Sequence, residues 1–111
     1  LPAAPFPDGL HVESDLANAV ASADELLLAV PSHSFRETLE LVAPLMRPGM
    51  RVAWATKGFE LETGKLPHQV ANEVLGADVP KAVLSGPTFA REVGLGLPTA
   101  MTVASRDNEY A

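Results

Sequence analysis

Three short segments of the sequence carry residue types that could bind an anionic small molecule. In the segment ATKG (residues 55–58), Lys57 directly follows an apolar run. A cation at that depth is costly unless it is paired, so we expect an anionic ligand or a carboxylate as its partner. A lysine in a solvated loop is the alternative interpretation.

The segment SGPTFA (residues 85–90) is the most distinctive of the three. Gly86 would let the backbone approach a ligand closely, and Pro87 fixes φ at the predicted start of a short helix. The residues from Thr88 onwards then present backbone N–H groups and one hydroxyl, which suit an anion. An ordinary turn from a strand into a helix would look similar in part.

The segment VPSHSF (residues 30–35) places small residues and an aromatic ring at the predicted N-terminus of a helix. Free N–H groups and the helix dipole at such a place favour an anion such as phosphate. Ser34 and Glu37 have the spacing of a capping box. The alternative is an ordinary helix start with Phe35 packed into the core.

An alternation of helices and strands must position these segments. Apolar runs without alternation predict strands buried on both faces, and a stripe at Phe35, Leu39 and Val42 predicts a helix between them. The predicted strands are residues 25–30, 51–56, 81–85 and 99–104. The predicted helices are approximately residues 15–23, 34–47, 66–75 and 88–93. This order predicts an α/β fold, a doubly wound parallel sheet of the Rossmann-like kind with right-handed crossovers.

The three segments each follow a predicted strand. Ligands of open α/β sheets bind beyond the carboxyl ends of the strands. We therefore expect the three segments to meet at one edge of the sheet and to form one binding site there.

Composition excludes several classes of function. The net charge is −6 and the eight Lys and Arg residues are scattered singly, so we expect no nucleic-acid partner. No apolar run is long enough to span a bilayer, and the lack of cysteine fits a cytoplasmic protein. No metal site is expected, because no His, Asp or Glu residues have metal-ligand spacing. His11, His68, Glu60 and Glu62 are interpreted as solvated surface residues.

The two ends of the chain predict a piece of a longer protein. The sequence opens without Met on a proline-rich stretch that resembles a connection, and this stretch lacks the basic segment before an apolar one that is typical of a signal peptide.

These segments together resemble the bacterial NAD(P)-dependent glycerol-3-phosphate dehydrogenases. The matching stretches are AVPSHSFR (29–36), WATKG (54–58), VLSGPTFARE (83–92) and LPTA (97–100). The resemblance covers essentially the whole chain, in the right order and spacing. It implies that the chain is part of an oxidoreductase. This enzyme would transfer hydride between NAD or NADP and sn-glycerol 3-phosphate or dihydroxyacetone phosphate. It would thereby supply glycerol 3-phosphate for phospholipid synthesis.

The resemblance also implies roles for single residues. Lys57 would lie between the nicotinamide and the substrate and contact both. Gly86 and Thr88 would contact glycerol 3-phosphate. Ala90 and Phe35 would contact the cofactor. The family has either Ser or Thr at the position of Thr88, so the hydroxyl is kept.

Other functional motifs and residues of the family are expected outside this sequence. The Gly-rich turn for the pyrophosphate and the residues that choose NAD or NADP should lie upstream. The general acid/base lysine should lie in a helical domain downstream, so no catalytic residue is expected here. Residues 1–111 would then be the later part of an N-terminal NAD(P)-binding domain, lacking its first β-α-β unit and inactive alone. The oligomeric state stays open, with a homodimer as one option.

Two other functions remain as alternatives. A related NAD(P)-dependent dehydrogenase of hydroxy acids would share the half-domain, although the segment SGPTFA argues against it. A non-catalytic nucleotide-binding module is the alternative from another class.

Overall fold

The computed structural model describes residues 3–111, which form one four-stranded sheet with helices. The strands are β1 (Glu25–Leu28), β2 (Arg51–Trp54), β3 (Lys81–Ser85) and β4 (Thr102–Ser105). The helices are α1 (Leu16–Ala21), α2 (Ser32–Val42), α3 (Pro67–Leu75) and α4 (Ala90–Gly94), and a 3₁₀ turn (Ala43–Leu45) follows α2. No helix in this part of the chain is long and apolar enough to cross a membrane.

The strands lie in the order β1-β2-β3-β4. The first three are parallel, as in the pairs Leu28↔Trp54 and Trp54↔Val83. The predicted α/β class and this parallel pairing are confirmed, whereas β4 runs antiparallel to β3 at the edge of the sheet. The reason is that the connection 86–101 starts and ends at the carboxyl edge of β3, so α4 does not cross a face of the sheet.

Helices α2 and α3 cover one face of the sheet and form the main core with it. Its buried members are Leu28, Phe35, Leu39, Val52, Trp54, Val70 and Ala71. The rings of Phe35 and Trp54 pack edge to face, with their centroids 5.7 Å apart. On the other face, Leu27 is 61% exposed and Val103 is 44% exposed. Doubly wound sheets are covered on both faces, so this exposed apolar face fits a partial domain.

The start of α2 differs from the sequence prediction. The helix begins at Ser32 with Pro31 at its N-cap, because the fixed φ of the proline already suits that position. Ser34 therefore lies inside the first turn, and its carbonyl accepts a hydrogen bond of 2.8 Å from the Thr38 hydroxyl. The predicted capping box of Ser34 and Glu37 is wrong. Pro44 lies inside the predicted helix 34–47, where a proline either kinks the last turn or ends the helix early. The structure shows the early end, because α2 stops at Val42 and Pro44 lies in the 3₁₀ turn.

Candidate functional site

Hydrogen bonds also join β1 and β2 beyond their paired residues, where the two strands end. The Ala55 N–H donates to the Leu28 carbonyl at 2.9 Å. The Thr56 hydroxyl, which is buried, donates to the Val30 carbonyl at 2.7 Å. The segments VPSHSF (30–35) and ATKG (55–58) therefore leave the sheet side by side.

Gly58 lies against the N-terminus of α2. A Cβ atom at Gly58 would lie 3.8 Å from the Ser32 hydroxyl oxygen, and the φ of Gly58 is +97°. Such a φ favours glycine over every residue with a side chain. The chain after β2 can thus turn across the start of α2, where free backbone N–H groups favour an anion.

Lys57 links the segment ATKG (55–58) to the segment SGPTFA (85–90). Its exposed ammonium group donates to the Gly86 carbonyl at 3.3 Å. The same carbonyl accepts the Thr88 N–H at 2.9 Å. Within the described part of the chain, no carboxylate lies at ion-pair distance from Lys57. Because Lys57 is exposed, burial does not require a partner for its charge, and an anionic ligand stays a prediction. The predicted meeting of the three segments at the carboxyl edge of the sheet is confirmed.

Gly86 is needed for a different reason from the one that the sequence suggested. A Cβ atom there would lie 2.6 Å from the Ala100 carbonyl oxygen and 3.2 Å from the Met101 Cα atom. The close approach that requires glycine is thus made by the chain entering β4. A contact of Gly86 with a ligand stays a prediction.

The side chains of the segment SGPTFA (85–90) are partly or fully exposed where the chain enters α4. Thr88 is half-buried and Ala90 is exposed. The helix begins at Ala90 and has Phe89 at its N-cap, without a side-chain capping bond. Thr88 precedes the helix, so the predicted start at residue 88 is wrong, and a capping role does not account for its hydroxyl.

Phe35 lies in the main core with only 2% of its surface exposed. This placement supports the alternative interpretation of Phe35 as a packing residue beneath the start of α2. Its predicted contact with a cofactor remains untested.

A cavity of about 280 Å³ opens beside Lys57 on the face that carries α3. Its walls include Lys57, Ser85, Trp54 and His68. The volume is at the lower end of the range for small-molecule sites. His68 was interpreted as an ordinary surface residue. Its position in the first turn of the helix that starts at this edge could have indicated its place in the cavity wall.

The loop between β2 and α3 carries a network of charges that the sequence did not reveal. The Arg36 guanidinium donates to both carboxylate oxygens of Glu60, at 2.7 and 2.9 Å, and to Glu73 at 2.9 Å. Lys65 also pairs with Glu73, and the Thr63 hydroxyl donates to Glu60 at 2.5 Å. These donors, Arg36 first, lower the pKa of Glu60 from 4.5 to about 2. The interpretation of Glu60 as a solvated residue is wrong.

Metal ligation has no support among residues 3–111, where no three His, Asp or Glu side chains come together. Two larger hollows, of about 550 and 680 Å³, also lie in this part of the chain. Lys57 lines neither of them. Neither hollow is lined by a residue of the three segments.

Comparison with known proteins shows the family of this chain. Residues 1–111 match the family model described as the N-terminus of NAD-dependent glycerol-3-phosphate dehydrogenase. The chain is 56% identical to a glycerol-3-phosphate dehydrogenase (NAD(P)+) of Klebsiella pneumoniae and 57% identical to one of Escherichia coli. Both matches cover the whole chain and 33% of the relative, so the chain spans about a third of the length of these curated relatives.

Solved structures agree with the sequence match. A glycerol-3-phosphate dehydrogenase from Coxiella burnetii is 39% identical, with a TM-score of 0.91 over 99% of this chain and 33% of its own. One from Saccharomyces cerevisiae is 25% identical, with a TM-score of 0.83 over 98% of this chain and 31% of its own. The predicted Rossmann-like, partial domain is confirmed by this likeness, as is the resemblance carried by the three segments. The chain belongs to the family of NAD-dependent glycerol-3-phosphate dehydrogenases, whose N-terminal part it matches.

Proposed function

We propose that this chain is the later part of the NAD(P)-binding domain of a glycerol-3-phosphate dehydrogenase. The parent protein would transfer hydride between NAD or NADP and sn-glycerol 3-phosphate or dihydroxyacetone phosphate. The observation that carries the proposal is the bridge from Lys57 to the Gly86 carbonyl at the carboxyl edge of the sheet. It joins the two segments to which the family resemblance assigns the substrate.

Lys57 is the central residue of the proposed site. Its exposed ammonium can donate to a substrate oxygen in place of the Gly86 carbonyl, at which its present bond is long. A positive charge there favours the negative charge that develops on the substrate oxygen when the carbonyl form is reduced. The cofactor itself supplies the hydride, so the chain contributes positioning and charge.

The remaining site residues surround Lys57. Gly86 and Thr88 are proposed to contact the substrate, and the half-buried Thr88 hydroxyl is available because it does not cap α4. Ala90, exposed at the start of α4, is proposed to contact the cofactor. Phe35 is proposed to serve the cofactor indirectly, because its buried ring supports the start of α2.

The general acid/base lysine and the Gly-rich turn for the pyrophosphate are proposed to lie in other parts of the parent protein. The partners are proposed to be glycerol 3-phosphate and dihydroxyacetone phosphate. No nucleic-acid partner is proposed, since the chain carries a net charge of −6. A cytoplasmic protein that supplies glycerol 3-phosphate for phospholipid synthesis fits this proposal. A homodimer is compatible with it.

The experiment that tests the proposal is a Lys57→Ala substitution in the full-length protein. We expect kcat/KM for dihydroxyacetone phosphate to fall by about a hundredfold, the scale of losing one positioned electrostatic group. Arg106→Ala is the matched control, because it removes an exposed cation that lies outside the three segments. If Lys57→Ala stays within a few-fold of the control and is equally stable, Lys57 is an ordinary loop lysine and the proposed site is wrong.

A further inference from the structure

The loop that carries Lys57 is held at both of its ends. On one side, the adjacent residue Thr56 is buried and bonded to the Val30 carbonyl. On the other side, Glu60 follows three residues later and is bound by Arg36 of α2. The stretch 57–59 between these two anchors is exposed. Its freedom therefore depends on both anchors.

The Glu60 anchor has the geometry of a strong ion pair. Two parallel hydrogen bonds of 2.7 and 2.9 Å join its carboxylate to the Arg36 guanidinium. Only 16% of the Glu60 side chain and 30% of the Arg36 side chain are exposed. A two-bond pair that is partly shielded from water is stronger and more directional than an exposed single contact.

The backbone around Glu60 is closed as well. The Glu60 N–H donates to the Lys65 carbonyl at 2.9 Å, and the Gly64 N–H donates to the Glu60 carbonyl at 2.7 Å. Glu73 of α3 binds both Arg36 and Lys65. The turn 60–65 is thus a compact unit that Arg36 and Glu73 attach to α2 and α3.

We propose that Arg36 is a positioning residue for Lys57, an inference that rests on the proposed role of Lys57 in substrate binding. By holding Glu60, Arg36 fixes the far end of the stretch 57–59 and keeps the Lys57 ammonium over the Gly86 segment. Without Arg36, the turn 60–65 would keep only the pair of Lys65 with Glu73 on α3, and Lys57 would sample more positions away from the substrate.

The test compares Arg36→Met and Arg36→Lys in the full-length protein. Methionine keeps a long side chain and helix propensity but removes the charge and both bonds, and lysine keeps the charge without the two-bond geometry. We expect Arg36→Met to lower kcat/KM for dihydroxyacetone phosphate by about tenfold. Arg36→Lys should recover part of this loss. Arg51→Met is the matched control, because it removes an arginine paired with Glu25 at the opposite end of the sheet and should keep full activity.

Two further measurements separate positioning from a general structural effect. If Arg36 acts through Lys57, Arg36→Met should cost almost nothing more in the Lys57→Ala background. An equal loss in both backgrounds overturns the inference. Hydrogen exchange of the amides 57–65 should be faster in Arg36→Met than in Arg51→Met, and unchanged exchange also overturns it.

The two proposals can fail separately. Full activity in Lys57→Ala rejects the proposed function at this residue, and the positioning of Lys57 for substrate falls with it. A large loss in Lys57→Ala together with full activity in Arg36→Met leaves the proposed function intact and rejects only the role of Arg36.

Discussion

The backbone around Gly86 leaves no room for a side chain, and this predicts the effect of Gly86→Ala. The new Cβ atom would lie 2.6 Å from the Ala100 carbonyl oxygen, whereas ordinary contact begins near 3.4 Å. The chain before β4 would have to retreat by about 0.8 Å to restore that contact. The contacting atom belongs to the backbone, so rotation of a side chain cannot relieve the clash. The backbone there leads directly to the strand pair Ser85↔Thr102.

The expected cost follows from two opposing effects. Overpacking of this kind typically destabilises a protein by about 1–3 kcal/mol. Replacing glycine by alanine also restricts the unfolded chain, which stabilises by roughly 0.4–1 kcal/mol where the native backbone accepts alanine. The net loss in the free energy of unfolding should therefore be about 1–2 kcal/mol.

Urea denaturation of the full-length protein can measure this loss, with Gly9→Ala as the matched control. Gly9 has no heavy atom within 4 Å of an added Cβ, and its φ does not require glycine. Gly9→Ala should thus be neutral or slightly stabilising. Equal stability of the two variants would refute the argument that Gly86 is retained for the approach of the chain entering β4.

Three further predictions concern Thr88, Glu60 and Phe35. Thr88→Val keeps the shape of the side chain but removes the hydroxyl, so kcat/KM of the full-length protein should fall at least tenfold with little change in melting temperature. Thr88→Ser should stay active. Full activity of the valine variant would count against a substrate contact. Because folding lowers the pKa of Glu60 from 4.5 to about 2, its pairing stabilises the protein fully above about pH 4.5 and loses that effect as the pH falls towards 2. Acid-unfolding curves should show a smaller decline over this range in Arg36→Met, and identical curves would contradict the ion pair. Phe35→Ala should lower the free energy of unfolding by roughly 3–5 kcal/mol. Phe35→Leu should keep the affinity for NADH within a few-fold. A tenfold weaker affinity in the leucine variant would indicate direct contact with the cofactor.

Local patterns in the sequence were sufficient to predict the α/β class and the meeting of the three segments at one edge of the sheet. Apolar runs such as 25–30 and the stripe at Phe35, Leu39 and Val42 depend only on residues close together in the chain. Since ligand-binding segments follow the strands of such sheets, the three segments could be selected before any contact between them was known. The bridge from Lys57 to Gly86 bears out their expected proximity.

Only the tertiary structure decided the contacts between residues far apart in the chain. Examples are the direction of β4, the Ala100 carbonyl beside Gly86 and the pairing of Glu60 with Arg36. Each involves positions whose distance depends on how the helices pack on the sheet. Glycine, glutamate and arginine are common in loops and on helix surfaces, so their types alone do not indicate such partners. Packing also placed the Phe35 ring against Trp54, because burial of apolar surface between helix and sheet outweighs exposure of the ring at the helix start.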